Sequence, residues 1–182
     1  GYATPILPEG RRLALLEEAE NYQLVEQPEF VSGGQVREQV SSIRELPPAS
    51  LFWQLRDDFT DLILLKLGQS LPYCFPTYPL EFNELSLQRY DQGSIGITPH
   101  LDGKSMKNLI CVFTLTGAAK FALCDDRAGS NPYYLDTTPG NVTIMRSPGF
   151  TGSNHQPFHF VSEVTERRVV FGLRQKLAKA QP

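Results

Sequence analysis

The sequence predicts a mainly β fold with helices at its N-terminal end and a two-sheet jelly-roll after them. Three observations carry this. Two stretches before residue 84 repeat apolar residues at three- and four-residue spacing, the helical period. After residue 83, short runs rich in β-branched and aromatic residues recur between turn residues. There are eight of these runs, the number a jelly-roll requires. The chain has 182 residues, 41% apolar and 20% charged, which describes one domain over 1–182 with enough material for a core. Residues 1–83 would be its helical support and 84–176 its β core.

Taken in order, residues 11–21 follow Pro8 and read as an amphipathic helix, with Leu13, Leu16, Ala19 and Glu20 dividing apolar from acidic faces. Residues 25–46 predict one or two short strands. A second helix over 50–67 follows Pro47-Pro48, spaces Phe52, Leu55, Phe59, Leu62 and Ile63 helically, and meets Gly68 as its stop. Residues 71–79 hold three prolines and form a stiff connection, with Tyr73, Phe75 and Tyr78 packing the core edge or a site rim. The eight strands are expected at 84–90, 96–102, 108–115, 119–125, 133–137, 141–146, 159–164 and 167–175.

The chemistry sits in the strand half. His100-Leu101-Asp102 places two metal-ligand types two residues apart, and on a strand such residues point to the same face with Cα atoms about 6.5 Å apart. Leu101 would face away. Alone the pattern is weak, because Asp102-Gly103 is also a turn dipeptide. Two histidines further on supply a third ligand, His159 or His155. His159 is favoured because it opens an alternating stretch, whereas His155 precedes Pro157 in a Gly- and Asn-rich loop. Two histidines and one carboxylate on one face of an octahedral ion suit non-haem iron(II) and leave positions open.

Near the C-terminus, Arg168, Val170, Gly172 and Arg174 share one strand face, and Arg167 faces the other way. The two arginine Cα atoms on that face are then roughly 20 Å apart. Val170 and Gly172 between them are small enough to leave room for a flat ligand. An arginine there can hold a carboxylate by a bidentate, charge-assisted pair.

On these motifs, residues 84–175 resemble the double-stranded β-helix core of the Fe(II)/2-oxoglutarate-dependent dioxygenases, and most of all the AlkB-like branch. The resemblance implies a metal triad of His100, Asp102 and His159. It implies Arg168 at the C5 carboxylate of 2-oxoglutarate and Arg174 near the C1 carboxylate and the metal. The family's N-x-Y becomes Gln88-Arg89-Tyr90, so Tyr90 and Gln88 are the expected cosubstrate contacts. Val170 stands where some members carry a polar residue.

The activity implied consumes oxygen and 2-oxoglutarate, releases succinate and CO2, and hydroxylates a substrate C–H bond or demethylates through an unstable hydroxymethyl. A carboxylate at position 102 argues against halogenation. The substrate expected is a small molecule or a protein side chain. Oxidative demethylation of nucleic acid is the alternative, and a non-catalytic jelly-roll binding module is another.

Net charge is −3 with a pI near 5.6, so no general attraction to phosphate backbones is expected. Lys104 and Lys107 after the H-x-D read as solvated loop lysines. Cys74, Cys111 and Cys124 show neither a C-x-x-C spacing nor an even count, so neither zinc nor a disulfide framework is predicted. A reducing compartment such as the cytoplasm follows as the default, and no run of the sequence reads as a signal peptide or membrane span.

Overall fold

A computed structural model describes residues 1–31, 34–70 and 76–177; Tyr73, Cys74 and Phe75 lie outside the described residues. Its elements are β1 (Tyr2–Pro5), α1 (Glu9–Glu20), β2 (Val25–Glu26), β3 (Phe30–Val31), β4 (Val36–Arg37), β5 (Ser41–Ile43), α2 (Leu51–Ser70), β6 (Glu84–Tyr90) and β7 (Ile97–His100). They continue with β8 (Met106–Thr116), β9 (Lys120–Cys124), β10 (Tyr133–Leu135), β11 (Asn141–Arg146), β12 (Phe158–Ser162) and β13 (Arg168–Lys176). All eight expected core strands are present.

Seven strands form one antiparallel sheet in the order β1-β11-β8-β13-β6-β5-β2, and four form a second in the order β10-β9-β12-β7. β3 and β4 form a separate two-stranded hairpin that lies against β7. The period of two along each strand sorts side chains into two clusters. On β13, Val169, Phe171 and Leu173 join Leu109, Cys111, Phe113 and Leu115 of β8 in a cluster shared with the helices. Val170 instead joins Ile110, Val112, Tyr90, Met145, Phe121 and Val161 in the space between the sheets.

The helices cover the outer face of the large sheet. Phe52 of α2 lies 4.6 Å from Phe171, centroid to centroid, and Phe59 meets Phe113 edge-on at 4.9 Å. Truncating Phe171 to alanine would cost about 3–5 kcal/mol, because its neighbours on the sheet cannot collapse into the gap. Within α1 the buried residues are Leu15 and Ala19, four apart, while Leu13 is 48% exposed. Leu16 and Ala19 thus pack on the core as expected, while Leu15 takes the buried place that Leu13 was expected to fill.

The start of α2 is fixed by α1. Ser50 Oγ donates to Glu18 at 2.6 Å, and the Leu51 amide donates to the other Glu18 oxygen at 2.9 Å. A carboxylate there satisfies a free amide and complements the positive end of the helix dipole. The helix continues through Gly68 to Ser70, past the expected stop.

The N-terminal portion is less purely helical than the sequence implied. Between residues 25 and 46 there are four short strands rather than one or two, and β1 extends the large sheet beside β11. Propensity over two or three residues is too weak to mark such strands; they exist because a neighbouring edge offers unpaired backbone groups. Tyr78 packs against Gly149 and Lys107, at the core edge.

Candidate metal centre

β7 and β12 are neighbours, and their pairing sets His100 directly opposite His159. The ring centroids are 4.3 Å apart. β7 ends at His100, so Asp102 lies in the turn beyond the strand rather than on it. The turn nevertheless returns its carboxylate to the imidazoles, with Asp102 Oδ2 3.8 Å from His159 Nε2. One ligand atom from each of His100, Asp102 and His159 lies within 4.8 Å of the others. His155 is exposed in the preceding loop and takes no part in this group.

Each imidazole is turned by a backbone carbonyl two residues earlier. His100 Nδ1 is 2.9 Å from the Thr98 oxygen, and His159 Nδ1 is 3.4 Å from that of Pro157. With the proton on Nδ1, the Nε2 lone pair faces the group. Burial pushes both imidazoles below their ordinary range, His159 to about 4, so both are neutral near pH 7. Burial also opposes ionisation of Asp102, but Arg174 above all, then the two imidazoles, hold it below the usual carboxylate range. Asp102 Oδ2 is buried without a hydrogen-bond partner. Two neutral imidazoles and an under-satisfied carboxylate form a donor set suited to a divalent cation.

Arg174 reaches this group from β13. Its Nε is 3.7 Å from Asp102 Oδ1 and its Nη1 donates to Ser86 Oγ at 3.0 Å. Gly172 makes this possible: a Cβ there would stand 2.8 Å from both Arg174 Nη1 and Ser86 Oγ. The space above Gly172, expected to admit a ligand, is taken by the guanidinium of Arg174 itself.

Arg168 sits at the other end of the same strand face, opposite Tyr90 in register, and is 1% exposed. Its guanidinium lies 5.9 Å from the Tyr90 ring centroid, and its nearest polar contact is Thr114 Oγ1 at 3.5 Å. The Nε has no partner, and among the described residues no carboxylate pairs with it. Burial brings its pKa down to about 10, opposed by Tyr90. A fully buried cation without a counterion is costly, on the order of several kcal/mol. That cost is removed by an anion carrying its own acceptors, which is the chemistry of a carboxylate ligand.

A cleft of about 250 Å³ opens beside the triad, lined by His100, Asp102, Arg174, Gln88, Ser86 and Glu38 among others. Gln88 is thus at the cleft wall. Leu101, expected to face away, also lines the cleft, because the strand has ended before it. Lys107, expected as a solvated loop lysine, is instead a half-buried residue of β8 that lies over the Tyr78 ring. Ser86, Thr114, Thr98 and Glu38 were not singled out from the sequence. Ser86 alone had a signal, two residues before Gln88 on the same strand face.

No family model matches the sequence, and no curated protein does. Solved structures do share the fold. A prolyl-4-hydroxylase from Pseudomonas putida superposes with a TM-score of 0.69 at 14% identity, covering 96% of this chain and 91% of that one. OsALKBH1 gives 0.66 at 16% identity, with 95% and 97% covered. HygX from Streptomyces hygroscopicus, with nickel and 2-oxoglutarate bound, gives 0.64 at 14% identity, with 94% and 80% covered. The jelly-roll is therefore the fold of known 2-oxoglutarate oxygenases. No helix among the described residues is long and apolar enough to cross a membrane.

Proposed function

We propose that the protein is an Fe(II)- and 2-oxoglutarate-dependent dioxygenase that hydroxylates a small-molecule or protein substrate. The observation that carries this reading is the pairing of two incomplete sites on one face of the fold. A metal-type donor set of His100, Asp102 and His159 lies at one end, and the buried, unpaired cation of Arg168 at the other. A keto diacid bridging them completes both. That HygX, of the same fold, is described with nickel and 2-oxoglutarate supports the assignment.

When bound, ferrous iron with 2-oxoglutarate supplies oxygen activation for C–H oxidation, with succinate and CO2 released. The residues of this chain then have separable tasks. The carbonyls of Thr98 and Pro157 keep the imidazole lone pairs aimed at the metal. Arg174 keeps Asp102 ionised and turned inward. Arg168, with Tyr90 and Thr114 beside it, receives the far carboxylate of the diacid. Arg168 is 1% exposed, so water is excluded there and this ion pair is stronger than it would be in solvent. Gln88 offers its amide from the cleft wall.

Glu38 and Glu84 share the cleft with Arg44 and Arg174, so this opening, in a chain of net charge −3, offers no surplus of cations to a phosphate-backbone partner. The test is succinate formation from 2-oxoglutarate with Fe(II) and oxygen, expected for wild type and lost in His100→Ala. Wild-type protein that binds no metal and forms no succinate would overturn the proposal.

A further inference from the structure

In the cleft beside the triad, one carboxylate makes no hydrogen bond or ion pair among the described residues. Glu38 follows β4, and its backbone is tied on both sides: its amide donates to the Glu29 carbonyl at 2.8 Å, and it bridges Ile97 of β7. The Arg37 amide donates to Thr98 Oγ1 at 3.0 Å. Position 38 is therefore registered to the strand that delivers His100, whose Nδ1 rests on the Thr98 carbonyl.

The Glu38 side chain is half-buried in the cleft with His100, Asp102 and Arg174. Among the described residues it makes no hydrogen bond and no ion pair. The cations nearest it are engaged elsewhere: Arg44 with Glu84 at 3.2 Å, and Arg174 with Ser86 and Asp102. Burial pushes the Glu38 carboxyl above its ordinary range, and Arg44 and Arg174 only partly counter this. A half-buried carboxylate without a partner is a group awaiting a donor. Val31, Val36, Ile97, Leu101 and Met106 line the same cleft and give it an apolar wall. Its volume of about 250 Å³, shared with the cosubstrate at Gln88 and the triad, leaves room only for a side chain or a short chain compound.

We propose that Glu38 is the substrate-recognising carboxylate of this cleft, selecting substrates that carry a basic nitrogen, an amine or guanidinium, on a short aliphatic chain. This rests on the oxygenase reading above and names its substrate class. The nitrogen pairs with Glu38 through a charge-assisted hydrogen bond. The chain lies along the apolar wall, and one of its C–H bonds then faces His100 and Asp102.

The experiment measures succinate formation above the substrate-free level with two matched pairs: cadaverine and N,N′-diacetylcadaverine, and the peptide acetyl-Gly-Lys-Gly-amide with its Nε-acetyl form. Expected is stimulation by at least one basic compound, weaker by roughly tenfold or more in its acetylated partner. Glu38→Gln should raise KM for that compound by a similar factor with kcat little changed. The variant should keep substrate-free succinate formation and the anaerobic Fe(II)/2-oxoglutarate absorption. Equal stimulation by basic and acetylated forms, or none by any basic compound, overturns the proposal. So does a Glu38→Gln variant that loses thermal stability at unchanged KM, since that marks a structural pair with Arg44. If wild type lacks the Fe(II)/2-oxoglutarate absorption itself, the oxygenase reading fails and takes this proposal with it.

Discussion

Arg174 Nε stands 3.7 Å from Asp102 Oδ1, while the same guanidinium donates from Nη1 to Ser86 Oγ and, among the described residues, pairs with no other carboxylate. In the proposed oxygenase the cation orients Asp102 as a ligand without itself binding the metal. Arg174→Gln is expected to weaken Fe(II) affinity by about 10- to 100-fold, the usual cost of losing a group that positions a ligand. Anaerobic metal titration checks this, with a thermal melt to show that the fold is kept.

Gly172→Ala should reproduce part of that loss without touching any charged group. Its new Cβ would fall 2.8 Å from Arg174 Nη1 and from Ser86 Oγ, so the guanidinium must move away. Fe(II) affinity is expected to fall, and Ser86→Ala in the same background should restore little, because the Arg174 contact remains. Metal titration of the two variants reads this directly.

Arg168→Met removes a buried cation that has no counterion among the described residues. The Tm without cosubstrate should stay level or rise, since replacing a buried charge by an apolar side chain of similar length is often neutral or stabilising by about 1–4 kcal/mol. The rise in Tm that 2-oxoglutarate gives wild type should vanish. Arg167, on the opposite strand face, pairs with Glu20 at the surface, and Arg167→Ala should change Tm by no more than about 1 kcal/mol equivalent and leave cosubstrate binding intact.

The sequence was most informative where periodicity and chemistry coincide. The face shared by Arg168, Val170, Gly172 and Arg174 follows from strand alternation, and the pairing of His100 with His159 emerges once β7 and β12 are adjacent. Less was readable where long-range packing decides. Asp102 leaves the strand yet still reaches the imidazoles, because the turn at Gly103 redirects it. Leu15 rather than Leu13 faces the sheet, which depends on how α1 is rotated against β8. The strands β2 to β5 are two or three residues long and owe their existence to neighbouring edges, and with them went any signal for Glu38. The contacts of Ser86 and Thr114 depend on cross-strand register, which one strand read alone does not reveal.

The metal-free protein should lose stability as pH falls from about 6.5 toward 4. Unfolded histidine titrates near 6.5, whereas burial holds His159 at about 4 and His100 also below its ordinary value. Within that window the unfolded chain binds more protons, so acid favours unfolding, and the contribution is fully present above pH 6.5. Denaturant midpoints of metal-free protein across the window should show the slope, and His159→Gln should flatten it.

The central claim is that His100, Asp102 and His159 hold ferrous iron beside a 2-oxoglutarate anchored by Arg168. Visible absorption under anaerobic conditions, with Fe(II) and 2-oxoglutarate added, tests it most directly. The expected result is a metal-to-ligand charge-transfer band in wild type and in His155→Ala, weaker in Arg168→Ala and absent in His100→Ala. A wild-type protein without the band, or a band that survives loss of His100, would contradict the account.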